Sequence, residues 1–396
     1  MRVLQINSVC GIRSTGRICT DLAELLERAG HECKIAYGRE HVLAQHQKYA
    51  VRIGNDRDVK RHALRARLFD SAGLGSGHAT KKFIRWVQAY DPDVIHLHNI
   101  HGYYINIKVL FDYLRESGKP VIWTLHDCWS FTGHCSHFDM VGCEKWRAQA
   151  CSGCPQKRGY PKSLFLDRSA RNLVHKRGLF ASLENLILVT PSRWLADLAA
   201  QSFFAKTPIR VIPNGIDLSA FQPCESDFRA RHGIENKKVV LGVASAWQKY
   251  KGLDDFVRLS AMLDDRFQIV LVGLTEEQRA ALPPNILGIT RTDSVRALAE
   301  IYTAADWFVN PTYQETLSMV NLEAQACGTP VITYRTGGSP ETLDPDSGTV
   351  VEKGDIETVA HILQSTEPHT VQAHEEWNKN KRFAAYIDLY REVSRI

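Results

Sequence analysis

From Asn310 to Gly338 the chain reads N-P-T-Y-Q-E-T-L-S-M-V-N-L-E-A-Q-A-C-G-T-P-V-I-T-Y-R-T-G-G. A short apolar run at 307–309 comes just before this stretch and another at 330–333 lies inside it. Each run is typical of a buried strand. Between them we expect a helix to open directly after Glu315, and Glu323 follows Glu315 with seven residues in between. A strand, a helix and a second strand in this order predict a parallel sheet that helices cover on both faces.

The same alternation extends over most of the 396 residues. Apolar runs at 3–6, 33–37, 94–98, 121–125, 186–190 and 210–212 predict strands in the first half, with helices at 18–29 and 107–116. A second series follows at 239–243, 269–273, 307–309 and 330–333, after a polar stretch at 217–238 that we interpret as a linker. We therefore expect an α/β protein of two Rossmann-like domains with parallel sheets facing across a cleft, where the carboxyl ends of the strands bind ligands.

Composition supports a two-domain globular protein. The chain has 44% hydrophobic and 23% charged residues and is too long for one ordinary core. It contains no run of about 20 apolar residues that would span a membrane. Its first residues are too few and too polar for a secretory signal, so we expect a cytoplasmic protein.

Positive charge is concentrated in the first half. Residues 1–200 carry 29 Lys and Arg against 18 Asp and Glu, whereas residues 201–396 carry 20 against 26. The densest part holds Arg57, Lys60, Arg61, Arg65, Arg67, Lys81, Lys82 and Arg85. These residues fit a solvated helical face or a surface for anionic membrane lipid. Nucleic acid is the weaker alternative, because no nucleic-acid module accompanies the charge.

The quoted stretch resembles the nucleotide-sugar segment of the family 4 retaining glycosyltransferases, whose architecture is called GT-B. Glu315 and Glu323 match the E-x7-E pattern of that family, residues 211–217 resemble its domain-junction motif, and Lys251-Gly252 resembles its donor-phosphate pair. The resemblance covers about residues 1–350. It implies an acceptor-binding domain at 1–216 with a Cys-rich insertion at 128–160. A nucleotide-sugar domain follows at 217–374, and a helix at 375–396 crosses back to the first domain.

The resemblance also implies the donor site. Lys251 would meet the diphosphate, Glu315 the donor sugar, and Glu323 the two ribose hydroxyls. The amides of Thr316, Leu317, Ser318 and Met319 would meet the phosphates at a helix N-terminus. The family's arginine five residues before the lysine is replaced here by Ala246. Either Lys249 supplies the second charge or the loop differs, and Arg291 is another candidate.

In the first domain, the resemblance implies that Gly16 meets the donor phosphate and that His126 lies near the reacting sugar. The loop at 11–17 also fits a simple strand-to-helix turn, since it lacks the G-x-G-x-x-G spacing. His98, His101 and Asp127 lie at or just after predicted strands and are candidates for the acceptor site. We therefore take His126, Lys251 and Glu315 as the candidate catalytic residues.

Ten cysteines are many for a protein that we expect in the cytoplasm, and five of them fall within 128–154. Cys151 and Cys154 form a C-x2-C knuckle, which could join Cys135 and Cys143 in a closed four-thiolate zinc site. Free thiols and a disulfide are the alternatives. Catalysis itself requires no cofactor in this interpretation.

The most specific hypothesis is a hexosyltransferase of surface polysaccharide biosynthesis, for lipopolysaccharide or exopolysaccharide. It would move a sugar with retention from a nucleotide-sugar donor to a lipid-linked or oligosaccharide acceptor, at the inner membrane face. The sequence shows no pair of carboxylates that would serve as the acid and nucleophile of a glycosidase. A nucleotide-sugar epimerase of the same architecture and a non-catalytic scaffold remain alternatives, because one fold hosts several functions.

Overall fold

A computed structural model describes residues 1–394 and divides the chain into two units. The first unit contains residues 1–213 and the chain from Phe383 onward, and the second contains Asn214–Arg382. The division therefore lies a few residues before the boundary expected after residue 216. The return to the first unit lies eight residues after the expected position of 375.

Seven parallel strands form the sheet of the first unit, in the order β3-β2-β1-β4-β5-β6-β7. This is the strand order of a doubly wound Rossmann fold, with one further strand at the edge. The strands are β1 (Arg2–Ile6), β2 (Glu32–Tyr37), β3 (Ala50–Arg52), β4 (Val94–Leu97), β5 (Val121–Thr124), β6 (Leu186–Thr190) and β7 (Ile209–Val211). In the central strands β1, β4 and β5 the Val, Ile and Leu side chains are buried on both faces, as is typical of parallel strands.

Helices cover both faces of this sheet. They are α1 (Arg13–Arg28), α2 (Asp56–Phe69), α3 (Gly77–Tyr90), α4 (Ile107–Ser117), α5 (Ser169–Phe180) and α6 (Arg193–Ala200). Asn55 starts α2 with a capping box, because its side chain accepts from the Asp58 amide while the Asp58 carboxylate accepts from the Asn55 amide.

The second unit repeats the Rossmann order, β10-β9-β8-β11-β12-β13, again with every pair parallel. Its strands are β8 (Lys238–Val243), β9 (Phe267–Val272), β10 (Ile286–Ile289), β11 (Trp307–Asn310), β12 (Val331–Tyr334) and β13 (Gly348–Val351). Its helices are α7 (Phe228–His232), α8 (Leu253–Met262), α9 (Glu276–Ala280), α10 (Val295–Thr303), α11 (Met319–Ala326) and α12 (Ile356–Ser365).

The last helix, α13 (Lys379–Val393), begins in the second unit and packs into the core of the first. Phe383, Tyr386 and Tyr390 are buried with Val3 of β1 in one apolar cluster. Two hydroxyls anchor the helix further, since Tyr390 bonds His96 Nδ1 at 2.6 Å and Tyr386 bonds Thr124 Oγ1 at 3.0 Å.

The predicted fold class is confirmed, with two parallel-sheet Rossmann-like domains. The edge strands β3, β10 and β13 were not predicted, and α7 lies in the polar stretch 217–238 interpreted as a linker. α1 begins five residues before its predicted start. Within residues 1–394, no helix is both long enough and apolar enough to cross a bilayer.

Candidate active site

Lys251 and Glu315 meet at the carboxyl ends of the two central strands of the second sheet. Lys251 lies in the turn after β8 and Glu315 lies in the loop after β11, and these two strands are neighbours where the strand order reverses. Open parallel sheets bind ligands at such a switch point, outside the carboxyl ends of the strands. Lys251 Nζ lies 2.9 Å from Glu315 Oε2, and about a quarter of the lysine side chain remains exposed. The sequence-predicted phosphate and sugar residues are therefore in direct contact.

Two glycines hold the loop that carries Glu315. Gly252 has φ +78°, and a β-carbon there would lie 2.7 Å from Pro311 Cγ and overlap the Pro311 carbonyl oxygen. Gly337, after β12, has φ +55°, and a β-carbon there would lie 2.7 Å from the carbonyl carbon of Glu315. Only glycine combines this backbone conformation with such close approach.

Electrostatics keep the Lys251 ammonium charged. Burial alone would lower the pKa of Lys251, but the charge and hydrogen bond of Glu315 outweigh it, so the pKa lies above its ordinary value. The other carboxylate oxygen of Glu315 accepts from the Thr316 amide at 3.1 Å. The pair is thus a fixed cation beside a carboxylate whose oxygens can also accept from sugar hydroxyls.

The helix after Glu315 opens later than the sequence predicts. α11 begins at Met319, so Thr316 and Leu317 lie in the preceding loop. The Ser318 side chain is fully buried and accepts from Asn310 Nδ2 at 2.8 Å, so its hydroxyl belongs to the support of the loop. Glu323 lies in α11 and accepts from the Tyr302 hydroxyl at 3.1 Å.

Three further donor residues were predicted, two of them in the second unit and one in the first. Lys249 is exposed in the same turn as Lys251. Arg291 is exposed after β10, two strands away from β8 in the sheet. Gly16 is not in a loop, because it lies inside α1 in the first unit, where its carbonyl accepts from the Gly11 amide at 3.0 Å.

In the first unit, the four predicted His and Asp residues line one small cavity of ≈ 10 Å³ at the ends of β4 and β5. They are His98, His101, His126 and Asp127. The cavity has room for about one water-sized sphere. His98 is only 1% exposed and its Nδ1 lies 3.0 Å from His126 Nε2. A direct contact between His98 and an acceptor stays a prediction.

Hydrogen bonds fix the tautomers of these two histidines. Gln5 Nε2 donates to the Cys19 carbonyl at 2.9 Å and to Cys33 Sγ at 3.3 Å, so Gln5 Oε1 accepts from His98 Nε2 at 3.0 Å. Burial lowers the pKa of His98 well below its usual value, so the ring is neutral and its Nδ1 is an acceptor. His126 Nε2 lies 3.0 Å from that Nδ1 and must be the donor. Burial also lowers the pKa of His126 to about 4, which leaves the lone pair of this neutral ring on Nδ1.

His101 and Asp127 form a second buried pair. His101 Nε2 lies 2.9 Å from Asp127 Oδ2, and His101 Nδ1 lies 3.0 Å from the Tyr160 hydroxyl. Burial would raise the pKa of Asp127, but the charge and hydrogen bond of His101 lower it to about 2. Asp127 is therefore an anion that holds His101 in place.

The four cysteines predicted as zinc ligands line a second cavity of ≈ 20 Å³. All ten cysteines carry free thiols, which argues against the disulfide alternative. Within residues 1–394, no three His, Cys, Asp or Glu side chains stand close enough together to hold an ion as they are.

Several residues that support these sites were not predicted from the sequence. Gln5 and Tyr160 are remote from the motifs they serve, and only the fold brings them there. Beside the Gly337 turn, the hydroxyls of Thr336 and Ser339 are buried and have no hydrogen-bond partner among residues 1–394. Their signal in the sequence was the polar run T-G-G-S, which two residues separate from a predicted strand.

Comparisons with known proteins agree with this geometry. The family model described as Glycosyltransferase Family 4 matches residues 15–220, and the model described as Glycosyl transferases group 1 matches residues 237–366. A putative colanic acid biosynthesis glycosyl transferase of Escherichia coli K12 is 26% identical over 387 residues, covering 94% of this chain and 92% of that protein.

Solved structures share the fold over the whole chain. A glycosyltransferase from Rickettsia africae has a TM-score of 0.67 at 14% identity, covering 99% of this chain and 98% of that one. The Anabaena protein HepE in complex with UDP has a TM-score of 0.64 at 16% identity, covering 100% and 98%, and it was also solved with UDP-glucose. At these identities the likeness shows the fold alone. Because the family model covers more than half of the residues, the chain belongs to glycosyltransferase family 4 and is a transferase of GT-B architecture.

Proposed function

We propose that the protein moves a sugar from a nucleotide-sugar donor to a saccharide acceptor with retention of anomeric configuration. The observation that carries the proposal is the 2.9 Å contact between Lys251 and Glu315 at the switch point of the second sheet. HepE, a structural neighbour, binds UDP and UDP-glucose, which supports a nucleotide-sugar donor for this chain.

The chemistry explains why a fixed lysine is needed. The bond from C1 of the sugar to the diphosphate breaks, the acceptor oxygen bonds to C1 on the same face, and the acceptor proton passes to the leaving phosphate. Negative charge therefore grows on the diphosphate while positive charge grows on the sugar. Lys251 and the amides before α11 stabilise the growing negative charge, and this charge stabilisation lowers the barrier. Glu315 accepts hydrogen bonds from donor hydroxyls.

In the first unit, His126 and Asp127 are the residues that would bind a sugar. The neutral His126 ring can accept a hydrogen bond from a sugar hydroxyl at Nδ1, whereas an imidazolium could not. His98 and His101 then act by positioning these two side chains.

A lipid-linked acceptor fits the surface of α2. Arg57, Arg61, Arg65 and Phe69 follow one another at helical spacing, and all are exposed. The loop with Phe165, which is 68% exposed, adjoins this helix, because the Leu164 amide donates to the Arg67 carbonyl at 2.8 Å. We call Arg57, Arg61, Arg65, Phe69 and Phe165 the basic–apolar surface. Basic charge beside exposed aromatic rings fits an anionic membrane better than a solvated face. Such an acceptor is consistent with a relative named for colanic acid biosynthesis.

A donor panel tests the proposal. The purified enzyme is incubated with UDP-, GDP-, ADP- and dTDP-sugars and lipid-linked acceptors, and the anomeric configuration of the product is read by NMR. We expect one nucleotide class to give transfer with retention. An inverted product would refute the mechanism. Interconversion of the donor without any acceptor would indicate an epimerase, and a lack of turnover with every pair would indicate a scaffold.

A further inference from the structure

The Cys-rich segment has little apolar packing to hold its shape. From residue 142 to residue 168 it contains no helix or strand, although loops of this length are uncommon in compact domains. Phe131 and Phe138 pack on Trp146 with ring centroids 5.2 and 5.0 Å apart, which anchors the segment up to that point. Between 147 and 168 only Pro161 and Ser163 are buried. Apolar packing therefore does not account for the ordering of this part.

Four thiols surround one space inside the segment. Cys135, Cys143, Cys151 and Cys154 all line the same cavity of ≈ 20 Å³, which is about the size of one small ion or water. Cys151 and Cys154 have the C-x2-C spacing of a zinc knuckle. The Cys135 and Cys154 side chains lie close enough to interact, although they are 19 positions apart in the chain.

A buried histidine beside the cavity has a partner on one ring nitrogen only. His134 lines the same cavity, and its Nδ1 lies 2.6 Å from Asp70 Oδ1 in a pair that is almost fully buried. Its other nitrogen, Nε2, is buried and has no hydrogen-bond partner among residues 1–394. Histidines near bound metals characteristically have one ring nitrogen held by a carboxylate in this way.

A buried lysine lies near the four thiols. Lys176 is 2% exposed and its side-chain nitrogen donates to the carbonyls of Trp129 at 2.6 Å and Thr132 at 3.0 Å. Within residues 1–394 it makes no direct ion pair with a carboxylate, although the charges of Asp127 and Asp70 act on it. Burial lowers the pKa of Lys176 to about 7. Zinc with four thiolates carries a net charge of −2, which would favour the charged form of this lysine.

We propose that Cys135, Cys143, Cys151 and Cys154 bind one structural zinc ion. Binding transfers the four thiol protons to solvent and leaves four thiolates around the ion, with no position for water. Within residues 1–394 no group of three or more His, Cys, Asp or Glu is already arranged to hold an ion, so the four thiols would have to draw together when zinc binds.

The zinc site would support the first-unit cavity through Tyr160. This residue follows the knuckle by six positions, and its hydroxyl lies 3.0 Å from His101, the partner of Asp127. Losing the metal would loosen that contact while leaving the second unit able to bind nucleotide.

Metal analysis of freshly purified protein that has never met a chelator tests the proposal, with no need for activity. We expect about one zinc per chain, and X-ray absorption showing sulfur neighbours at about 2.3 Å. Changing Cys151 and Cys154 to Ser should abolish zinc binding. Cys224→Ser, at a partly exposed cysteine in the second unit, should leave it intact. Protein without zinc, or a shell of oxygen and nitrogen, would overturn the proposal. If the double variant does not fold, the metal content and the X-ray absorption spectrum of the wild type still show whether the protein holds zinc with sulfur ligands.

Discussion

Gly337 packs so closely on Glu315 that a β-carbon there would lie 2.7 Å from the Glu315 carbonyl carbon. We therefore expect Gly337→Ala to push the Glu315 loop out of place and to reduce sugar transfer by at least tenfold. The variant also places alanine at φ +55°, which costs about 1–2 kcal/mol of stability. Initial rates of transfer and urea denaturation measure the two effects separately.

Gly233→Ala is the matched control for that variant. Gly233 lies in the same unit at φ +64°, but its β-carbon would meet nothing within 4 Å. It should lose a similar amount of stability and keep its activity. Equal losses of activity in both variants would show that backbone strain, and not the contact with Glu315, is responsible.

The hydrogen bonds of Gln5 predict the tautomers of His98 and His126. Nitrogen-15 NMR of labelled protein at neutral pH should show both rings neutral, with the proton on Nε2. A proton on Nδ1 of His126 would contradict the direction of the hydrogen bond from His126 to His98.

Acid should destabilise the protein through His126. The pKa of His126 is about 4 in the folded protein and about 6.5 when unfolded, so the unfolded chain binds more protons between these values. The stability contributed by the neutral ring is present above pH 6.5 and is lost as the pH falls towards 4. Between pH 7 and pH 5 we expect wild type to lose about 1–2 kcal/mol more than His126→Asn in urea denaturation. Equal pH dependence of the two proteins would mean that His126 titrates normally.

The basic–apolar surface predicts binding to anionic vesicles that weakens as salt rises, because exposed charges are screened over about 8–10 Å. Reversing Arg61 and Arg65 to Glu should weaken sedimentation with anionic vesicles roughly 30-fold or more. The same reversal at Arg279 and Arg296, which are exposed in the second unit, should have little effect. Equal binding to neutral and anionic vesicles at all salt concentrations would support a solvated face.

Local patterns predicted much of this structure because they act over short distances. Runs of Val, Ile and Leu identified the central strands. Resemblance to a family identified Glu315 through the segment 310–338 and Lys251 through the Lys251-Gly252 pair. The edge strands β3 and β13 escaped because Ala50–Arg52 and Gly348–Val351 are short and only partly buried.

The environment of each side chain could not be predicted in the same way. β4 is buried on both faces, so the sequence does not show that the polar His98 directly after it points into the core. Tyr160 meets His101 across 59 residues, and only the folded chain brings them together.

The Lys251→Ala substitution tests the donor site most directly, with Lys238→Ala as its control. Lys238 pairs with Glu367 at 2.8 Å and is as exposed as Lys251, but it lies at the opposite end of β8. Lys251→Ala should lower the rate of sugar transfer about 10²–10³-fold, because the variant loses the fixed positive charge that stabilises the leaving diphosphate. Lys238→Ala should stay within about twofold of wild type, since an exposed salt bridge contributes little. A folded Lys251→Ala variant with near wild-type transfer would contradict the role of Lys251 in stabilising the leaving diphosphate.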